Sequence, residues 1–183
     1  MKRHSTIATV ATWGAIAITA ISSIPKAETA VIPNSSGSDF DRAVTFIFDV
    51  EGGQSDHPDD FGGRTNMGIT EGLAAKYGLT PDEITKEKAT EIYYQSYWLA
   101  AGCNELDWPI SLACLNTSVH SGVGKAKEFN QMIGDGSPSA EARAYAQRQE
   151  DEYRAIAADD PSQLVFLQGW LNRSSDLKAR INP

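Results

Sequence analysis

Glu51 stands at the end of an apolar helical run, and Gly52-Gly53 follows at once, where the backbone breaks free. Nine positions later, in a polar segment rich in glycine and aspartate, sits Asp60, and Thr65 comes five positions after it. An acid on a rigid element, a second carboxylate on the adjoining loop and a hydroxyl to orient water are the parts needed to split a glycosidic bond. Glu51 suits a general acid, because desolvation near a packed helix face raises a carboxyl pKa. The competing reading is a solvated helix-end acid. The helix dipole disfavours an anion at that end, so the placement calls for a reason. Asp60 reads equally as a base or oxocarbenium stabiliser and as a turn aspartate beside Gly62-Gly63. Thr65 reads equally as the holder of the attacking water and as a turn residue.

The elements that must position these residues are mostly helical. Ser38 and Asp41 resemble a capping box, after which Phe40, Val44, Ile47 and Val50 share a face. Residues 54–69 read as loop, with room for a short β-hairpin. Thr70 is expected to cap a brief helix stopped by Gly78. Thr80-Pro81-Asp82-Glu83 forms a second cap signal. Thr85 is expected to cap one continuous helix through Ile92, Tyr93, Tyr97 and Trp98. Further helices are expected from Ile110 to Val119, from about Gly124 to Ile133, from Ser139 to Ala157 and from Pro161 to Arg180. The expected fold class is mainly α, with a small irregular or β-hairpin patch after the helix that carries Glu51.

Composition limits the partners. The chain has 183 residues, 41% apolar and 22% charged, as an ordinary globular domain does. Met1-Lys2-Arg3-His4 followed by uncharged Ile7–Ile24 reads as a secretory signal peptide over 1–30, the alternative being a membrane anchor. This segment would engage a membrane only during export, to the periplasm or beyond. Residues 31–38 read as a flexible lead-in. Removal of Met1 to Ala27, which takes Lys2, Arg3 and Lys26, leaves 13 basic against 24 acidic residues, a net charge of −11. That excludes a nucleic-acid partner, which needs a basic face. Cys103 and Cys114 read as one disulfide in an exported protein, with two buried thiols as the alternative. Asp56, His57, Asp59 and Asp60 have neither calcium-loop nor paired-histidine spacing, so no metal and no cofactor are expected.

The segment EGGQSDHPDDFGGRTNMGIT, from Glu51 to Thr70, resembles glycoside hydrolase family 108, bacterial and phage N-acetylmuramidases with a lysozyme-like fold. Glu51-Gly52-Gly53 and Asp60, Gly62, Gly63, Thr65, Gly68, Ile69 and Thr70 are similar to its E-G-G and D-x-G-G-x-T-x-x-G-I-[TS]. Ile92-Tyr93 and Tyr97-Trp98 are similar to its I-Y-x-x-x-Y-W. Gly169-Trp170-Leu171-Asn172-Arg173 resembles the G-W-L-x-R of a peptidoglycan-binding-like region that often follows. The resemblance implies a catalytic domain over 39–122 and a helical C-terminal region over 123–183 packed on it. It implies hydrolysis of the β-1,4 bond between N-acetylmuramic acid and N-acetylglucosamine in peptidoglycan glycan strands, with Glu51 catalytic. The order Glu51, Asp60, Thr65 also resembles phage-type lysozymes that work by inversion.

Candidate substrate-binding residues are Asn66, Tyr94, Trp98, Asn116 and His120. Of Tyr93, Tyr94, Tyr97 and Trp98, two are expected in the core, with Tyr94 or Trp98 lining a sugar groove. Two departures stand out. Where the family reads L-F-D-x-x-V-N-x-G, this chain has Asn116 for the acid and His120 for the amide. These support an alternative, a non-catalytic wall-binding or scaffold protein that kept the fold. A third reading, a lytic transglycosylase, follows if Glu51 works alone. The C-terminal region also reads as shortened, bracing the catalytic helices through Trp170 and Phe166. A monomer is expected.

Overall fold

The computed structural model describes residues 37–51 and 65–181. The signal-peptide reading, most of the lead-in, Gly52-Gly53 and Asp60 lie outside them.

Helix α1 (Asp39–Glu51) starts where the cap signal put it. Asp41 N donates to Ser38 Oγ at 3.1 Å, and Ser38 N donates back to Asp41 Oδ2 at 3.3 Å. Phe40, Ala43, Val44, Phe46 and Ile47 are buried along one side of the helix. That apolar face packs on α4 (Ile110–His120), so the core fixes the direction in which α1 delivers its last residue, Glu51.

A two-stranded hairpin follows, with β1 (Thr65–Asn66) antiparallel to β2 (Ile69–Thr70). Its two-residue turn places Met67 and Gly68 at φ 51° and 73°. Both are left-handed, the geometry that matches strand twist in tight hairpins. Gly68 adopts it freely, whereas Met67 carries a Cβ there at some strain. Thr70 Oγ1 then accepts from Leu73 N and starts α2 (Glu71–Lys76). Gly78, at φ 69°, ends it as expected. Thr80 N donates to the Glu83 carboxylate at 2.8 Å around the 3₁₀ turn Pro81–Glu83.

Thr85 caps α3 (Lys86–Tyr93), but the expected continuous α-helix does not run on. Tyr94–Leu99 is a π-helical turn instead. The reason lies in packing. An α-helix turns about 100° per residue, so positions five apart point about 140° away from each other. Tyr93 and Trp98 are five apart, yet both are buried. Widening the turn to i→i+5 bonding swings Trp98 back onto the face of Tyr93.

Helix α4 is buried from Ile110 through Ser118, on every side. Helices α1, α5 (Val123–Asn130) and α6 (Pro138–Asp159) all pack against it. The Cys103–Cys114 disulfide, fully buried, ties a short 3₁₀ turn at Cys103–Glu105 to its middle. Replacing both cysteines by alanine should cost about 3 kcal/mol, the loop-closure entropy of a link across eleven positions. Denaturant melts read this directly, and unchanged midpoints would show that the link constrains nothing.

Helix α7 (Leu164–Ile181) lies against α6 after a turn at Pro161–Gln163 that Asp160 caps. Lys178 Nζ pairs with Glu150 at 2.8 Å to hold the two helices together. Further along, Arg180 Nη2 meets Asp49 Oδ2 of α1 at 3.1 Å. The fold is mainly α, as expected, and no described helix is long and apolar enough to cross a membrane.

Candidate active site

The two ends of the sequence that carries Asp60 are both anchored. At one end α1 delivers Glu51 at its C-terminus, held by the buried face of the helix and by the Arg180–Asp49 pair one half-turn earlier. At the other end the chain re-enters at Thr65 in β1. The hairpin is fastened from behind. Asn66 Nδ2 donates to Pro81 O at 2.9 Å and lies 3.2 Å from Ile84 O, while the Tyr93 hydroxyl donates to Met67 O at 2.9 Å. These contacts hold the Thr65 backbone against the 3₁₀ turn and α3.

Asn66 is therefore a clamp of the scaffold: its side-chain donors face backbone carbonyls, which corrects its assignment to substrate. Trp98 is corrected too. It is buried, at 5% exposure, with its ring edge-on to Phe40 at 5.4 Å, so no pyranose reaches its face. Tyr93 is the second core aromatic. Tyr94 is half-buried and packs edge-on to Phe40 at 4.9 Å, which leaves it as the groove candidate of the pair. The side chains of Glu51 and Thr65 lie outside the described atoms.

Asn116 and His120 belong to a polar seam where three helices meet, each contributing two residues about one turn apart: Asn116 and His120 from α4, Gln149 and Tyr153 from α6, Trp170 and Arg173 from α7. In the first layer Asn116 is fully buried. Its Nδ2 donates to Gln149 Oε1 at 2.9 Å, and its Oδ1 accepts from Arg173 Nε at 2.8 Å. In the second layer the Tyr153 hydroxyl lies 2.8 Å from His120 Nδ1, and the imidazole meets the Tyr153 and Trp170 rings edge to face at 5.0 and 6.4 Å. Protein packed around the ring, with the Arg173 cation nearby, pushes the His120 pKa down to about 3. Both residues are thus engaged by the protein itself, which corrects their assignment to substrate.

Sequence reasoning singled out neither Gln149 nor Tyr153. Arg173 was visible as the last residue of G-W-L-N-R, but nothing local ties it to a position 57 residues earlier. Among the described residues no group of three or more His, Cys, Asp or Glu side chains gathers as a metal site. Asp56, His57 and Asp59 lie outside the described residues.

Residues 44–122 match the model of glycosyl hydrolase 108. This segment runs from inside α1 to the close of α4, so it contains Glu51, Asp60, Thr65, the hairpin and α3. The resemblance carried by Glu51-Gly52-Gly53 and the D-x-G-G-x-T segment is borne out there, and it makes this part of the chain similar to a family of glycoside hydrolases. A solved structure, "Structure of Brucella abortus SagA", is similar over a longer span. It shares 28% identity at a TM-score of 0.64, covering 80% of this chain and 95% of that one. A search of curated proteins returned no match.

Proposed function

We propose that this protein is an exported peptidoglycan hydrolase that cleaves the β-1,4 bond between N-acetylmuramic acid and N-acetylglucosamine. The observation that carries the reading is the family 108 match across the segment in which α1 ends at Glu51 and the chain returns at an anchored Thr65.

Glu51 protonates the bridging oxygen as the leaving sugar departs. Its place at a helix C-terminus favours the neutral acid, since the dipole there opposes a negative charge. Asp60 activates water from the opposite face or stabilises the oxocarbenium-like transition state, and Thr65 orients that water. The order of the three residues favours inversion. Tyr94 contributes an aromatic face beside the groove. Residues 123–183 brace the catalytic helices, with Trp170 buried against Tyr153 and His120. The buried disulfide fits an oxidising compartment, and the acidic net charge leaves recognition to groove contacts.

The non-catalytic reading drew its support from Asn116 and His120. Asn116 is spent on Arg173 and Gln149, and His120 is spent on Tyr153 and Trp170. Their departure from the family pattern is an exchange within the packing between helices, and it removes no group from the proposed chemistry.

The test is digestion of purified peptidoglycan, with new reducing ends counted and fragments weighed by mass spectrometry. Reducing-end products support hydrolysis. 1,6-Anhydro ends would identify a transglycosylase, and no release above a Glu51→Gln control would leave a binding protein.

A further inference from the structure

Asp135-Gly136 is the one Asp-Gly step in the chain, and it lies in the exposed loop between α5 and α6. The backbone amides on either side of Asp135 are gripped by a single carboxylate. Glu141, in the first turn of α6, reaches back over the loop. Its Oε2 accepts from Gly134 N at 2.9 Å and its Oε1 from Gly136 N at 3.2 Å. Two glycines let it sit there. A Cβ on Gly136 would lie 2.5 Å from Glu141 Oε1, and one on Gly134 would lie 3.2 Å from the same atom. A larger residue at 136 would push the carboxylate off that amide.

The same glycine leaves the aspartate open to attack, because no side chain screens the nitrogen that follows it. We propose that Asp135-Gly136 is a site of spontaneous aspartyl isomerisation and that Glu141 holds the reaction off. In this reaction the Gly136 nitrogen attacks Asp135 Cγ. The new N–Cγ bond closes a five-membered succinimide, and the amide proton leaves with the carboxyl's hydroxyl as one water. Water then adds to either ring carbonyl and cleaves its bond to nitrogen. Opening at Cγ restores aspartate. Opening at the α-carbonyl gives isoaspartate, whose main chain runs through Cγ and is one carbon longer. Water is the only reagent.

Glu141 opposes the first step in two ways. The attacking nitrogen must give up its proton, and that proton is committed to a charge-assisted hydrogen bond. Negative charge growing on the nitrogen is also repelled by the carboxylate beside it. The other carboxylate oxygen holds Gly134, so the chain before and after Asp135 is tied to α6 and the nitrogen is kept from swinging towards Cγ.

The start of α6 is what isomerisation would disturb. Ser137 caps that helix: its Oγ accepts from Ala140 N at 3.4 Å, and Glu141 N donates to Ser137 O at 3.0 Å. The helix carries the buried Tyr145, Gln149 and Tyr153. An extra main-chain carbon just before Ser137 pulls the loop out of register with the cap.

The test is prolonged incubation of the whole chain at neutral pH, with isoaspartate at 135 counted by electron-transfer mass spectrometry and the fold followed by circular dichroism. Folded Glu141→Ala should isomerise at least about tenfold faster than the parent, the factor set by losing one hydrogen bond to a charged acceptor. Equal rates would overturn the proposal. A second comparison needs no variant and decides the matter should Glu141→Ala unfold. The parent held unfolded in urea should isomerise faster than the folded parent by at least the same factor, and equal rates there would overturn the proposal as well. Neither readout depends on glycan cleavage, so this proposal and the hydrolase reading stand or fall separately.

Discussion

Glu51→Gln should lower the release of reducing ends from peptidoglycan by about 10²–10⁴-fold, the range a positioned general acid contributes. Glutamine keeps the shape and hydrogen-bonding reach of the side chain but has no proton to give. Stability should change little, because no anion favoured by the helix dipole is lost at the C-terminus of α1. The two measurements together are decisive. A variant that melts with the parent and is inactive places the proton donor at Glu51. A variant that keeps a third of the parental activity places it elsewhere, and the site would have to be rebuilt around another carboxyl. Asp60→Asn should also reduce turnover, with its fragments keeping the parental mass pattern.

Asn116→Leu should cost about 3–5 kcal/mol, the range for removing one partner of a buried charge. The substitution deprives Arg173 Nε of its acceptor and Gln149 Oε1 of its donor, both inside the three-helix seam. For a chain of this size the midpoint temperature should fall by about 2–4 °C for each kcal/mol. Asn116→Asp should behave quite differently. The carboxylate keeps the acceptor for Arg173 and makes the bond charge-assisted. It cannot donate to Gln149, but Gln149 Nε2 has no hydrogen-bond partner among the described residues, and a rotated amide would turn that donor towards the acid. Asn116→Asp should therefore melt within about 1 kcal/mol of the parent. The family pattern has an acid at this position, and the structure gives that acid an obvious cation. If Asn116→Leu and Asn116→Asp destabilise equally, the seam owes its strength to packing alone.

The local parts of the fold were legible because they are written in short-range chemistry. Ser38 with Asp41, Thr70, Thr80 with Glu83, and Thr85 each satisfy backbone donors within three residues, and each marks a helix start in the structure. Glu51 and Thr65 were legible through a motif. The π-helical turn at Tyr94–Leu99 was not, because it answers to a demand from outside the segment, the burial of both Tyr93 and Trp98. The same demand made Trp98 a core residue when an aromatic at helical spacing reads equally well as a groove wall. Asn116 and His120 were misjudged for a related reason. A polar residue on an apolar helix signals either function or a buried partner, and the partners here come from α6 and α7, 33 and 57 residues away. Arg173 is the clearest case, since its spacing to Asn116 matches no local period.

The hairpin fixed by Asn66 and by the Tyr93 hydroxyl has one more implication, for engineering. The grip on the hairpin is at Met67 and Asn66, and the grip on α1 is in the core at Phe40, Ala43, Val44, Phe46 and Ile47. A designer therefore has two fixed posts to build between, and a change of sequence between them should be judged first by whether those hydrogen bonds and that buried face persist.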